Sequence, residues 1–392
     1  MSNRERRNDG QRSAEILEHL VGFDTVSAHS NLPMVDYCER LLAGSGFHVQ
    51  RIPDAAGEKA GLVARIGPEG AGVVLSAHTD VVPVAGQHWT RDPFTLTRDA
   101  DRLYGRGTTD MKGFVAAVLS LAEQAGTRPL KEPLTIVLSY DEEIGCIGIA
   151  DMIDRVAPLI GTPRACIIGE PTSMQVATGH KGKVALKAVF EGENGHSAMA
   201  PNFLNALHPA GDFMTEIREL QAWYAAHGAR DDAYGIPCTT LHVGRLTGGT
   251  ALNIVPDRAE MLFEFRNPAV DDPVTIRQRI DEALDRVMAR YPGGRVTVSE
   301  YFAYPGLDTP LDHDVVGWAC DLAGQDTTKV AFGTEAGFFA ALGVPTVVCG
   351  PGSMDEQGHK PDEYLSIDQL AACDAMLGRV LDDVSASTPV CA

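Results

Sequence analysis

The sequence predicts an α/β protein in which a mostly parallel central sheet, flanked by helices, is interrupted by a smaller α+β domain. Three observations support this prediction. Strand-like apolar runs alternate with helical patterns over the first third of the chain. This pattern changes near residue 181 and returns near residue 294. The chain has 392 residues, 44% of them hydrophobic, a length for which two domains are the expected organisation.

The first third provides the helices and strands of the larger domain. Helical spacing is present in "SAEILEHLVGF", which Ser13 is placed to cap, in "VDYCERLLAGSGF" and in "KGFVAAVLSLAEQAG". The predicted strands are "GLVARIG", "GVVLSAH", "PLTIVLSYD" and "RACIIGE". Several of them are almost entirely apolar, which is typical of a sheet covered by helices on both faces.

The middle of the chain has a different pattern. "KVALKAVFEGE" alternates like a half-exposed strand, and "CTTLHVGRLTGG", "ALNIVP" and "RAEMLFEFRNP" also have strand character. Two long amphipathic helices accompany them. We therefore predict a four-stranded sheet with two helices on one face, a ferredoxin-like arrangement, over residues 181–293. The larger domain would then comprise residues 1–180 and 294–392, with "RVTVSEY" beginning its second part.

Charge and cysteine content restrict the classes of partner and compartment. The formal net charge is -20, so the surface is expected to repel nucleic acid and anionic membranes. The eight cysteines occur singly, without a C-x-x-C pair, and predict neither a disulfide framework nor a thiolate zinc site. The amino terminus lacks the apolar segment of a secretory signal, and no run reaches membrane-spanning length. We expect a cytoplasmic protein.

A first candidate site follows the run "VVLSAHTD". His78 and Asp80 lie at the end of this predicted strand, where α/β proteins bind ligands. Side chains alternate along a strand, so both point to the same face. His78 is then placed to bind a metal while Asp80 accepts a hydrogen bond from the other ring nitrogen. Taken alone, so short a motif is better explained by an ordinary polar loop after a strand.

Further acids and a second histidine have similar positions. Asp110 lies in a glycine-rich turn before a helix, Glu142 and Glu143 follow the strand that ends in "SYDEE", Glu170 follows "CIIG", and His359 lies in a late loop. Taken singly, each has a structural alternative: a helix cap, a helix amino terminus, a turn or a surface histidine. Together they suggest the ligands of two divalent ions. Nitrogen and oxygen ligands without thiolate favour zinc, with cobalt or manganese as substitutes.

At these residues the sequence resembles a known family. The motifs "SAHTDVVPV", "GRGTTDMKG", "DEEIGCIG", "GEPTSMQVATGHKGK", "GHSA", "GTEAGFF" and "PGSMDEQGHKPDEY" follow one another over nearly the whole chain. They resemble the co-catalytic metallopeptidase family that includes acetylornithine deacetylase, succinyl-diaminopimelate desuccinylase, aminoacylase and glutamate carboxypeptidase. Several of them are most similar to the acetylornithine deacetylase branch.

The resemblance implies roles for residues of the larger domain. His78, Asp110 and Glu170 would hold one zinc, and Asp110, Glu143 and His359 the other. Glu142 would be the general base, and Asp80 would orient the first histidine. Glu335, in "GTEAGFF", would favour a substrate that carries an ammonium group.

It also implies roles for the inserted domain, which forms a homodimer in the family. His196 in "GHSA" would polarise the scissile carbonyl, in its own active site or in that of the partner. Asn253 and Arg266 would contact the substrate, a small N-acyl amino acid. The segment "GHSAMAPNFLNALHP" keeps His196, Pro201 and Asn205 of the family pattern but differs between them, which affects the prediction of the substrate.

The resulting functional hypothesis is removal of the acetyl group from N2-acetyl-L-ornithine, giving acetate and L-ornithine. Alternatives within the family are an N-acyl-amino-acid amidohydrolase, a succinyl-diaminopimelate desuccinylase and a dipeptidase. An alternative of another class is a non-catalytic, metal-dependent dimeric binding protein. That alternative predicts loss of the base or of a ligand, and all of these residues are present.

Overall fold

The computed structural model describes residues 3–385, with side chains from residue 10 onward. Within that range the chain forms two compact units. The first contains the residues up to Gly179, Thr309–Val330 and those from Thr334, and the second contains His180–Asp308 and Ala331–Gly333. Cys391 lies outside the described residues, as do the ends of the predicted larger domain.

The amino-terminal part of the first unit alternates helices and strands. Its helices are α1 (Asn3–Val21), α2 (Leu32–Gly44), α3 (Gly113–Ala125) and α4 (Ile147–Ile160). Its strands are β1 (His48–Pro53), β2 (Ala60–Ile66), β3 (Val73–His78), β4 (Thr97–Asp99), β5 (Arg102–Tyr104), β6 (Leu134–Ser139), β7 (Ala165–Ile168) and β8 (Val176–His180).

The second unit and the return to the first complete the element order. The second unit contains β9 (Gly182–Glu191), α5 (Leu207–His227), β10 (Thr240–Gly248), β11 (Arg258–Asn267), α6 (Pro273–Met288), β12 (Arg295–Tyr304) and β13 (Leu307–Asp308). The first unit resumes with α7 (Asp314–Ala323), β14 (Thr327–Val330), α8 (Ala336–Ala341), β15 (Thr346–Val348), β16 (Tyr364–Ser366) and α9 (Ile367–Val384).

The large sheet confirms the predicted α/β fold. Its strands follow the order β1-β2-β6-β3-β7-β15-β8, and β14 pairs with β8. The neighbours β6, β3, β7 and β15 are parallel, while β1 and β2 are antiparallel additions at one edge. Every residue of β3, β6 and β7 is buried, as expected for strands covered on both faces. A separate small sheet pairs β16, β5 and β4.

Close packing of α3 on this sheet depends on small side chains. Eleven of its thirteen residues are buried, many of them alanines. The helix is close enough that a Cβ atom added at Gly169 would lie 2.0 Å from the ring of Phe114. Glycine is therefore required at the end of β7, immediately before Glu170.

The second unit contains a four-stranded antiparallel sheet in the order β10-β11-β9-β12. Helices α5 and α6 contribute to its apolar core. The predicted strand "ALNIVP" is wrong, because Ala251–Pro256 is an irregular segment in which Leu252 is fully exposed. Its place in the sheet belongs to β12, which pairs with β9 along its length. The predicted insertion ended at residue 293, so "RVTVSEY" was assigned to the wrong sheet.

Other details of the first unit also differ from the sequence-based expectations. Helix α1 begins at Asn3, so Ser13 lies inside the helix, where its hydroxyl donates to Asp374 at 2.7 Å instead of capping. All seven cysteines within residues 3–385 are unpaired. In the same range, no helix combines the length and apolar character that crossing a membrane requires.

Candidate metal centre

Three adjacent parallel strands bring the predicted ligands to one edge of the large sheet. Strand β3 lies between β6 and β7 and ends at His78. Glu142 and Glu143 follow the end of β6, and Glu170 follows the end of β7. Because the strands run in the same direction, these residues emerge side by side, as ligand-binding residues do in open α/β sheets.

The first ligand group consists of His78, Asp110 and Glu170. Nε2 of His78 lies 3.1 Å from Oδ1 of Asp110 and 3.6 Å from Oε1 of Glu170. All three side chains are at most 3% exposed. Their candidate ligand atoms lie within 4.8 Å of one another, which places one nitrogen and two carboxylates around a common point.

The second group consists of Asp110, Glu143 and His359. Nε2 of His359 lies 2.9 Å from Oε2 of Glu143 and 3.2 Å from Oδ2 of Asp110. The two oxygens of Asp110 therefore face different histidines, one in each group. The side chain of His359 is half exposed, whereas Glu143 is only 5% exposed. The second group is thus the more open of the two.

The electrostatics of the two groups show an excess of negative charge. Burial and the charge of Asp110 raise the pKa of Glu143 to about 7 and that of Glu170 well above its usual value. Burial opposes protonation of His78, but hydrogen bonds to Asp110 and Asp80 raise its pKa well above normal. Hydrogen bonds to Asp110 and Glu143 raise the pKa of His359 to about 10. All four shifts favour the protonated forms, because protons reduce the excess negative charge of the two groups. Bound cations would reduce the same negative charge.

The donor set fits a pair of divalent cations. Oε1 of Glu143 and Oε1 of Glu170 are buried and have no hydrogen-bond partner among the described residues. Buried carboxylate oxygens without a partner are rare in folded proteins and call for a positive ligand. The groups offer imidazole nitrogen and carboxylate oxygen without thiolate, which suits zinc and similar divalent ions.

Asp80 connects the first strand end to the acidic segment, in a way that differs in part from the prediction. Nδ1 of His78 lies 2.9 Å from the backbone carbonyl of Asp80 and 3.5 Å from its carboxylate, so the carbonyl is its nearer partner. The carboxylate accepts from the Ser27 hydroxyl at 2.6 Å. It also accepts from the backbone N–H groups of Glu142 and Glu143, at 3.1 and 3.2 Å. Asp80 thus fixes the backbone that carries both glutamates.

Sequence patterns did not predict the residues that contact Asp141 and Glu142. Asp141 forms an ion pair with Lys59 at 2.5 Å, with both side chains at most 16% exposed. Oε1 of Glu142 lies 3.1 Å from Sγ of Cys146. Burial and nearby acids raise the pKa of Glu142 well above its usual value. Cys146 lies within the motif "DEEIGCIG" but was given no role, whereas Lys59 lies outside every motif, in a loop that gives no local signal.

Glu335 lies at the amino end of α8 and is only 1% exposed. One carboxylate oxygen accepts from the hydroxyl of Ser139, and the other lies 3.5 Å from that of Ser76. Both serines belong to strands that lead to the ligand groups. The predicted contact of Glu335 with a substrate ammonium stays a prediction.

The second unit brings together two of its predicted site residues and separates the third. His196 is exposed and caps a short helical turn, with Nδ1 accepting from the N–H of Ala198 at 3.1 Å. The adjacent Ser197 donates its N–H to the carbonyl of Asn253 at 3.0 Å. Arg266 instead pairs across the sheet with the second residue of β9, and its Nε donates to Glu264 at 2.9 Å.

The distance between these two positions follows from the length of the strand. Lys183, opposite Arg266, is eight residues before Glu191, the last residue of β9, and His196 comes five residues later. At about 3.4 Å per residue, the two ends of the strand are roughly 27 Å apart. Arg266 and His196 therefore lie towards opposite ends of the small sheet.

An α/β sheet with paired nitrogen and carboxylate ligands at its carboxyl edge defines a dinuclear metallohydrolase. The chain matches the model of Peptidase family M20/M25/M40 over residues 74–383, and it belongs to this family. It is accordingly a metal-dependent hydrolase that acts on amide bonds.

Curated relatives match nearly the whole chain. An acetylornithine deacetylase from Myxococcus xanthus is 33% identical over 371 residues, covering 93% of this chain and 95% of the relative. Another, from Klebsiella pneumoniae (strain 342), is 36% identical over 360 residues, covering 90% and 92%.

Solved structures confirm the fold. A metallo-carboxypeptidase of the M20 family from Sulfolobus solfataricus superposes with a TM-score of 0.76 at 19% identity, over 94% of this chain and 98% of that one. A dinuclear metal-binding peptidase of the same family from Bacillus subtilis gives 0.70 at 16% identity, over 96% and 99%.

Proposed function

We propose that this protein is an acetylornithine deacetylase, which hydrolyses N2-acetyl-L-ornithine to acetate and L-ornithine. The observation that carries the proposal is the similarity to curated acetylornithine deacetylases, which extends over at least 90% of both chains. The proposal is also supported by the site itself, because both ligand groups and Glu142, the acid proposed as base, are present in the chain.

Two zinc ions are proposed as the resident metals, with cobalt or manganese able to substitute. His78, Asp110 and Glu170 would hold one ion, Asp110, Glu143 and His359 the other, with Asp110 shared. When bound, such ions polarise the amide carbonyl and lower the pKa of the attacking water. The buried oxygens of Glu143 and Glu170 that accept no hydrogen bond from the described residues support these assignments.

Glu142 is proposed as the general base. It lies next to the ligand Glu143, and burial raises the pKa of its carboxyl, which makes it a better proton acceptor than an exposed carboxylate. It would take a proton from the attacking water and deliver it to the nitrogen of the leaving amine. Asp80 would assist by holding the N–H groups of both glutamates.

His196 is proposed to donate a hydrogen bond to the carbonyl oxygen of the substrate. Because its Nδ1 accepts from a backbone N–H, the neutral imidazole carries its proton on Nε2. That nitrogen is then the donor that a developing oxyanion requires. Arg266 would bind the α-carboxylate of the substrate, Asn253 would contact the substrate, and Glu335 would favour its ammonium group.

A homodimer through the second unit is also proposed. Arg266 lies opposite Lys183 near the start of β9, and His196 follows the other end of that strand. These two strand ends are roughly 27 Å apart, and a substrate the size of acetylornithine is far too short to span them. If both residues serve one reaction, they must come from two copies of the chain. The unpaired cysteines support a reducing compartment, and we propose the cytoplasm.

A comparison of substrates tests the proposal. Rates of hydrolysis on N-acetylornithine, N-acetylmethionine, N-succinyl-diaminopimelate and a dipeptide should show the highest kcat/KM for N-acetylornithine. A preference for one of the others would assign the chain to the corresponding activity of the family. Removal of metal with a chelator should abolish the activity, and zinc or cobalt should restore it. Full activity of the metal-free protein would contradict the dinuclear mechanism.

A further inference from the structure

A buried ion pair lies behind the second ligand group. Nη1 of Arg106 is 2.7 Å from Oε2 of Glu363, and both residues are 1% exposed. Neither residue belongs to the two ligand groups. Two opposite charges taken out of water need further hydrogen bonds to offset their desolvation, so the remaining partners of the pair are informative.

Both carboxylate oxygens of Glu363 accept hydrogen bonds from the loop that carries Asp110. Oε2 accepts from the backbone N–H of Gly107 at 3.0 Å. Oε1 accepts from the N–H groups of Thr109 and Asp110, at 2.8 and 3.1 Å. Gly107 has φ +83°, a conformation that favours glycine. One side chain therefore binds three backbone donors of a single short loop.

Glu363 also lies four residues after His359, so it links the two loops that supply the second group. Arg106 strengthens the link, because its Nη1 is 3.4 Å from the carbonyl oxygen of Lys360, next to His359. Asp110 and His359 are thus held through the same ion pair. By contrast, His78 and Glu170 of the first group follow strands β3 and β7, whose positions are fixed by backbone pairing.

We propose that Glu363 is a positioning residue for the second metal: with Arg106 it sets the separation between Asp110 and His359, and so determines the affinity of the Asp110–Glu143–His359 group. This inference rests on the proposed function, which assigns those residues as ligands. Residues that hold metal ligands in place typically change metal affinity 10- to 100-fold when they are replaced.

Titration of the metal-free protein with Co²⁺, followed by the absorbance of the bound ion, tests the proposal. Glu170→Ala and His359→Ala identify the signals of the first and second groups. Glu363→Gln should raise the dissociation constant of the second group roughly 10- to 100-fold, and that of the first group by a smaller factor, because the first group shares Asp110 but not His359. At low Co²⁺ the Glu363→Gln variant should be less active than the wild type, because its second group is not filled. Saturating Co²⁺ should restore much of this activity.

Two further variants make the result specific. Glu132→Gln is the control, because it changes a different ion pair: Oε2 of Glu132 lies 2.7 Å from Nε of Arg164. Glu132 comes just before β6 begins, at the end of the strand opposite to the ligand groups. This variant should leave both dissociation constants unchanged. Arg106→Lys keeps the positive charge but loses the planar fork, and should weaken mainly the second group, by a smaller factor than Glu363→Gln. Strand β5, just before the loop of Asp110, pairs with β16 through backbone atoms. Because the substitutions change only side chains, this pairing should keep the loop folded in the variants.

Equal weakening of both groups, or unchanged constants in folded Glu363→Gln, would overturn the proposal. If Glu363→Gln does not fold, Arg106→Lys decides in the same way. The proposed function fails separately: a wild-type protein that binds two ions without hydrolysing N-acetylornithine refutes the substrate and leaves the role of Glu363 measurable. A wild-type protein that binds no Co²⁺ refutes both.

Discussion

Asp141, Glu142 and Glu143 are consecutive, yet their carboxyl groups have three different partners. Asp141 pairs with Lys59, Glu142 approaches the thiol of Cys146, and Glu143 approaches His359. The backbone directs each side chain differently, since Asp141 has a positive φ of 56° and Asp80 holds the next two N–H groups. Three adjacent acids therefore serve three purposes.

Glu142→Ala and Glu143→Ala should have opposite consequences. Loss of the proposed base should lower kcat roughly 10²- to 10⁴-fold while both metals stay bound. Loss of Glu143 should remove a ligand and release one ion. Metal analysis of the two purified variants, together with their rates, distinguishes them. A Glu142→Ala protein that lacks an ion, beside a Glu143→Ala protein that keeps both, would reverse the assignment.

Cys146 should influence the rate through Glu142. Burial raises the pKa of its thiol well above normal, so the thiol stays protonated and donates to the glutamate 3.1 Å away. Cys146→Ala should lower kcat roughly threefold to tenfold, the effect of one hydrogen bond. Cys146→Ser keeps a donor and should lose less. Equal rates for the alanine and serine variants, with metal content unchanged, would remove this hydrogen bond from the mechanism.

At the scale of elements, strand ends were the most predictable part of the site. His78 and Glu170 follow apolar runs that are recognisable in the sequence, and parallel pairing brings them together. The pattern of a strand does not reveal which sheet it joins, and β12 was misassigned for this reason. Contacts between distant segments, such as that of Lys59 with Asp141, have no local signal in the sequence. Glu363 lies within the motif that contains His359, but its contacts with the loop of Asp110 could not be predicted from that motif.

The end of β8 contains a group that should make stability depend on pH. Burial lowers the pKa of His180 to about 4, against 6.5 when unfolded, and its Nε2 has no partner among the described residues. Only the unfolded chain binds the proton between these values, so the contribution of neutral His180 is complete above pH 6.5 and is lost as the pH falls towards 4.

Comparison of the wild-type protein with His180→Phe isolates this contribution, because other groups titrate in both. Between pH 7.5 and pH 5, the free energy of unfolding of the wild type should fall by about 2 kcal/mol more than that of the variant. Denaturant unfolding at the two pH values, followed by circular dichroism, provides the measurement. Parallel losses in the two proteins would show that His180 does not control acid stability.

At the scale of the whole molecule, the proposed dimer is tested by mixing inactive variants. His196→Ala should keep its metals and lose roughly 10²- to 10³-fold in turnover, the effect of removing one oxyanion donor. If each active site uses the partner's histidine, a heterodimer with Glu142→Ala has one site with both defects and one with neither. Activity should then return on mixing. No recovery in confirmed heterodimers would place His196 in its own active site.

The placement of Arg266 and His196 towards opposite ends of the small sheet also has a consequence for dilution. A substrate that is held by residues from two copies can be turned over only while the copies are associated. Specific activity should then be constant at high protein concentration and fall once the concentration drops below the dissociation constant of the dimer, by mass action. Enzyme measured in a dilute assay and enzyme at its concentration in the cell would differ in activity although every individual chain remained folded.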